Sequence, residues 1–153
     1  MRPITTLLFA SLALPLISAA IPAHACKLAA EAYDLTAFLA KKDTRQVVFL
    51  GKASSVESLP TAPGLLVHQK ITFETTRWWR GAPSKMVSAS GIVEKPMGST
   101  CDGEFDFSVT AGAEWLIVGY VEDGKVHPMP KLSERLTNGE IPRKVLHLLG
   151  AGQ

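Results

Sequence analysis

From Leu65 to Arg80 the chain alternates between two kinds of position. Val67, Gln69, Ile71, Phe73 and Thr75 fall on one side, and His68, Lys70, Thr72, Glu74 and Thr76 on the other. A period of two belongs to a strand, so this stretch predicts a long one with a core face and a solvent face. Gln46 to Ser55 (QVVFLGKASS) is rich in β-branched and aromatic residues and predicts another strand, in which Gly51 marks a bulge or a close approach of backbone. Further strands are expected over Met86 to Val93, Phe105 to Val109, Glu114 to Glu122 and Lys125 to His127, the last two joined by an Asp123-Gly124 hairpin turn. Ser58 to Gly64 holds two prolines and a glycine and reads as a loop.

Two short segments follow a helical period instead. Asp34 is a good N-cap for a helix placing Leu35, Phe38 and Leu39 on one face, with Lys41 and Lys42 at its C-terminal end. Pro142 suits the first position of a second helix that Gly150 stops, with Val145, Leu146, Leu148 and Leu149 offering an apolar face. Five or so evenly spaced strands with short flanking helices predict a mainly β fold, a small five-stranded Greek-key barrel of the OB type. No internal repeat or linker divides it.

The first 25 residues do not fit this scheme. Arg2, an apolar run from Leu7 to Ile17, Pro15 and Pro22, and the small-any-small triplet Ala23-His24-Ala25 have the layout of a cleaved signal peptide. The run is too short to span a bilayer. Residues 26–153 then form a single domain that is exported, to the periplasm or beyond, and begins at Cys26. Lipidation of that cysteine is the rival outcome. Ordinary cleavage fits better, because lipoprotein signals usually carry Leu where this chain has Ala23.

Removing residues 1–25 leaves 128 residues with 15 Lys and Arg against 14 Asp and Glu. Such a balance offers no cationic stripe for a phosphate backbone, which argues against a nucleic-acid partner. Cys26 and Cys101 are the only cysteines, and in an oxidising compartment an even pair reads most simply as one disulfide. A loop of that length is stabilised by about 4 kcal/mol in the chain-entropy account.

VVFLG at 47–51, TRWWRGAP at 76–83, Cys101 with Gly103 and Phe105, and GAEWLIVGY at 112–120 follow one another in an order that resembles the netrin-like and tissue-inhibitor-of-metalloproteinase (TIMP)-like modules, including bacterial secreted members. The resemblance spans Cys26 to about His127. It implies a Cys26–Cys101 disulfide and an inhibitory N-terminus, in which the amine and carbonyl of Cys26 chelate the zinc of a metalloprotease at its open coordination position. Only a chain-terminal nitrogen is an amine with a lone pair to give, and with a pKa near 8 its ligand form is accessible at neutral pH. By the same resemblance Lys27 enters the protease S1′ pocket, where the family usually has a small residue. Leu28 stands where many members have a second cysteine, and that cysteine's late partner is missing too.

The resemblance and the strand alternation together put Trp79 in the core. Trp78 then faces outward, either as an exposed anchor for a partner or covered by a loop or the second helix, the commoner fate of a large aromatic. Asp102, Glu104 and Asp106 alternate as a solvated face would, without the further oxygen ligands of a calcium site. His68, His127 and His147 show no metal-ligand or dyad spacing, and no nucleophile motif or phosphate loop is present. The expectation is a chain without enzymatic activity, resident metal or cofactor. It would act as a metalloprotease inhibitor through Cys26, or as an envelope binding or structural module that uses its barrel face. The exported protein should begin at Cys26, be about 2 Da lighter than its reduced form because a disulfide removes two hydrogens, and carry no lipid. Intact mass and thiol labelling without reduction check this, and labelling of Cys101 would reject it.

Overall fold

A computed structural model describes residues 32–59, 66–94 and 106–153. Strands β1 (Gln46–Ser58), β2 (Leu66–Arg80), β3 (Met86–Glu94), β4 (Glu114–Glu122) and β5 (Lys125–Pro128) are ordered β1-β2-β3-β5-β4, and β4 pairs back onto β1. The result is a closed, five-stranded, OB-like barrel, antiparallel except where Ala89 of β3 meets Val126 of β5 in parallel. A two-residue strand, β6 (Glu134–Arg135), adds to β4 beside Trp115 and Leu116. Helix α1 (Leu35–Ala40) precedes the barrel and α2 (Arg143–Leu149) follows it. Among the described residues no helix is long and apolar enough to cross a membrane.

Strands β1 and β4 are the most apolar because they are buried on both faces. Val47, Phe49 and Ala53 of β1 and Ile117 of β4 point into the barrel, where they meet Ile71, Phe73, Trp78, Val87, Ala89, Phe107 and Val126. Val48 of β1 and Leu116 and Val118 of β4 point outward into a second core with Leu35 and Phe38 of α1, Leu136, and Val145 of α2. A continuous apolar run such as EWLIVGYVE is what a strand sandwiched in this way requires. The alternating part of β2, from 67 to 74, is covered on one side only, with Ile71 and Phe73 fully buried and His68, Lys70 and Glu74 exposed.

Sequence expectation and structure agree on the first helix, on β4, at Gly51 and at the Asp123-Gly124 turn, and differ in detail elsewhere. Asp34 caps α1 by accepting from the Thr36 amide at 2.8 Å. Pro142 is the N-cap of α2, not its first residue, and Gly150 at φ 72° closes that helix. The strand expected at Phe105 to Val109 is reduced, among its described residues, to a single bridge between Phe107 and Ile92. At Gly51 the β1–β2 register shifts, and a Cβ would lie 3.2 Å from the carbonyl oxygen of Glu74, so the expected close approach is present. Asp123 and Gly124, at φ 49° and 72°, form the expected hairpin turn.

Buried polar groups join α1 to the barrel. Gln46, fully buried at the start of β1, donates its side-chain amide to the carbonyl of Phe38 and accepts from Arg80 Nη1 at 2.7 Å. Carbonyls near the end of α1 are thereby satisfied from the barrel wall. Phe38 packs its ring edge-on against Tyr120 at 5.1 Å, and the Arg45 guanidinium lies over the Tyr120 ring at 5.9 Å from its centroid. Ser133, also buried, donates to the Val118 carbonyl at 3.0 Å and accepts from its amide at 3.1 Å, between the stretches where β5 and β6 pair with β4.

The α1 region carries an acid-sensitive element. The Asp43 carboxylate is held at about 2, from an ordinary 3.8, chiefly by side-chain and backbone hydrogen bonds from Arg45. Asp34 is lowered as well, chiefly by the Thr36 amide. Both groups have depressed folded values, so their contribution is present above the ordinary carboxylate range and is lost on acidification, for Asp43 as pH falls toward about 2. Both are exposed and solvent-screened, so the effect is local. Acid titration by NMR should show the Arg45 amide leaving its bonded position between about pH 4 and 2, and the Thr36 amide doing so on acidification below the ordinary carboxylate range, while the barrel amides hold. Simultaneous loss of barrel and α1 signals would contradict this.

Candidate functional site

The two tryptophans of β2 sit the opposite way round from the sequence expectation. Trp78 is buried in the barrel, 7% exposed, stacked on Phe49 at 4.9 Å, with its indole N–H donating to Thr75 Oγ1 at 3.1 Å. Trp79 is half-buried in the outer core and donates to the Gly150 carbonyl at 2.9 Å. The reason is a register shift at Thr76, followed by a second one just beyond Trp78. Gly51 faces Thr75 but Leu50 faces Arg77, so Thr76 is an extra residue that reverses the inward phase; Trp79 is likewise extra between Trp78 and Arg80. A bulge shifts every following side chain to the other face. Trp78 is therefore not a surface anchor.

The other residues singled out in the sequence are distributed as follows. Cys26, Lys27 and Cys101 lie outside the described residues, as do Asp102 and Glu104. Asp106 is exposed and the following Phe107 is buried. His68 and His147 are exposed and separate. Among the described residues no group of three His, Cys, Asp or Glu side chains is placed to hold a metal.

The structure does bring together a constellation that the sequence did not reveal. The parallel contact of β3 with β5 sets Ser90 beside His127, with Oγ 3.0 Å from Nδ1 and 3.4 Å from the Val126 carbonyl. With hydrogen on Nδ1, the imidazole donates to the hydroxyl and the hydroxyl to the carbonyl, which leaves Nε2 to face a ligand as an acceptor. Beside the pair is a pocket of about 170 Å³ lined by Ser90, Ile92, Phe107, His127, Pro128 and Pro130. Its walls are apolar and its polar groups few, the composition of a small recognition site.

This pocket depends on Gly91. A Cβ there would lie 2.9 Å from Ile71 Cδ1 and 3.0 Å from the Phe107 carbonyl oxygen. Without one, the 107–109 segment closes over β3 and β2, the Phe107 amide donating to the Ile92 carbonyl of β3 at 2.7 Å and the Val109 amide to Gln69 Oε1 of β2 at 3.4 Å. Phe107 then packs edge-on against Trp115 at 5.1 Å, whose indole N–H is buried without a hydrogen-bond partner among the described residues. An unpaired buried donor costs about 1–3 kcal/mol. Around the pocket, Lys70 lies across from Ser90 on β2, Lys125 lies on the same side of β5 as His127, and both are exposed.

A second concavity, of about 310 Å³, lies at the other side of the barrel between Lys52, Glu114, Arg135 and Asn138. Its charged groups are of both signs. The sequence matches no protein-family model and no curated protein.

The reversed tryptophans are open to a direct check. Trp78→Ala should lower stability by about 3–5 kcal/mol, the usual range for deleting a buried large aromatic, and Trp79→Ala by clearly less, measured by denaturant unfolding. The opposite order would restore the simple alternation.

Proposed function

We propose that the chain is an exported, non-enzymatic binding module of the TIMP-like and netrin-like kind, which engages a protein or oligosaccharide partner in the cell envelope through the outer face of β2, β3 and β5. The observation that carries this reading is the asymmetry of the barrel. Both helices and the β6 segment cover the outer face of β1 and β4, whereas His68, Lys70, Glu74, Met86 and His127 on the opposite wall are exposed. OB-type barrels commonly bind through the β2–β3 wall. The Ser90–His127 pair, with the pocket of Ile92, Phe107, Pro128 and Pro130, supplies a polar contact next to an apolar one, and the flanking lysines supply charge.

A second reading, favoured by the barrel architecture that the resemblance implies, is inhibition of a zinc metalloprotease by the Cys26 amine and carbonyl, with Lys27 at S1′. The two readings respond oppositely to the same variants. A single alanine ahead of Cys26 converts the chelating amine into an amide, and on the binding-module reading it leaves partner capture unchanged. His127→Ala and Ile92→Glu should reduce that capture by about tenfold or more, the scale of losing a central contact. Pull-down from envelope extract and calorimetry with the captured partner measure both. Protease inhibition that disappears on extension, with indifference to His127 and Ile92, would select the inhibitor; Lys27→Thr should then strengthen it against apolar S1′ pockets by removing a charge from a poorly hydrated site.

A further inference from the structure

Strand β3 reaches along β2 only as far as Glu74, opposite Met86, so the last residues of β2 project beyond it. At Trp78 the amide and carbonyl both point away from β1, because the N–H and C=O of one strand residue lie on the same side. They bond instead to Gln153: the Trp78 amide donates to the Gln153 carbonyl at 2.9 Å, and the Gln153 amide donates to the Trp78 carbonyl at 2.7 Å. Exchange of both bonds is the closed pair of an antiparallel ladder. Through Gln153 the 150–153 segment thus adds one closed backbone pair to an edge that would otherwise present unpaired groups at Trp78.

Two further contacts make the edge selective. Trp79 holds the Gly150 carbonyl through its indole N–H at 2.9 Å. Gly152 has φ 76°, and a Cβ there would lie 2.8 Å from Arg77 Cγ and 2.9 Å from Trp79 Nε1. Any side chain at this position meets both a strained backbone and a filled space. Ala151 and Gln153 are exposed, and nothing comparable restricts them.

The occupant is lightly held. Helix α2 has seven residues, Val145 alone among them is fully buried, and Leu146 and Leu148 are more than a third exposed. Gly150 and Gly152, both at positive φ, bracket the segment. We propose that the end of β2 around Trp78 is a strand-addition site for an extended peptide, filled in this structure by the chain's own residues 150–153. It accepts a partner's segment in the same register when that segment has glycine immediately before the residue that faces Trp78. Main-chain bonds would give the affinity and the glycine position the specificity, the usual division in strand addition.

The test uses the full chain with Gly152→Val, which removes the internal occupant while keeping its length. The probe is a synthetic peptide of residues 148–153, Leu-Leu-Gly-Ala-Gly-Gln, beside a second peptide with valine for its penultimate glycine. In the variant, the Trp78 amide should lose protection from hydrogen exchange and the Trp79 indole resonance should shift. Adding the glycine peptide should restore both, and the valine peptide should bind about tenfold more weakly or worse, the scale of overpacking a close contact. The unaltered chain should bind the glycine peptide more weakly than the variant does, because its own segment competes at an effective concentration in the millimolar range. Equal binding of the two peptides, or no response at Trp78, would overturn the proposal. A concentration-dependent dimer of the variant that protects Trp78 without peptide would overturn it too, by giving the edge to a second copy. If the variant does not fold, hydrogen exchange in the unaltered chain decides: Trp78 should exchange by local opening, faster than the β1–β4 ladder, and excess glycine peptide should speed exchange of the displaced Gln153 amide while leaving Trp78 protected; exchange only with global unfolding would reject the site.

Discussion

The pairing of β1 with β4 is the constraint to which the other elements are fitted. Each strand is apolar on both faces, so neither can lie at a surface, and their joint burial needs a core on either side. The inner core is supplied by rolling β2, β3 and β5 round to close a barrel; the outer one by laying α1, α2 and the β6 segment across the same two strands. Gln46 and Arg80 then tie the end of α1 to the wall with hydrogen bonds that no solvent reaches at Gln46. Among the described residues that cover lies on one wall, and His68, Lys70, Glu74, Met86 and His127 on the opposite wall of β2, β3 and β5 stay exposed. The proposed binding surface is in this sense a residue of how the core was built.

Much of this could be read from the chain, because the signals were local and periodic. The alternation of 67–75 gave the correct facing of Ile71 and Phe73, and the unbroken apolar run at 114–122 gave β4 to the residue. Asp34 and Gly150 marked helix ends by chemistry that acts within one turn. The reading of the tryptophans failed because counting by twos presumes an unbroken ladder, and Thr76 carries nothing in its side chain that announces a bulge. β6 was missed because two residues cannot express a period. Phe107 was expected within a strand, and what organises its segment instead is the space left by Gly91 on another strand.

The site was less legible than the fold, for the same physical reason. Ser90 and His127 are distant in the sequence and meet only because β3 and β5 run in parallel at one point, a pairing that no local pattern encodes. Alternation on β5 could have shown that His127 faces out while Val126 faces in, and nothing more. The added strand at Trp78 is harder still to foresee. It depends on β2 outrunning β3, on the phase set by the bulge at Thr76, and on a glycine whose role appears only when Arg77 and Trp79 stand against it.

The same closure has a cost in time. Phe49 and Ile117 are directly paired across β1 and β4, yet most of the barrel lies between them in the chain. The local hairpins of β1 with β2, β2 with β3 and β4 with β5 can form early, whereas the ring shuts only after the loop entropy of bringing its first and fourth strands together has been met. Until then the two strands with the most apolar side chains have open edges, and an intermediate of this kind is prone to associate with copies of itself. The slowest and most aggregation-exposed moment in the life of this protein is therefore set by the same strand pair that gives the finished molecule its stability.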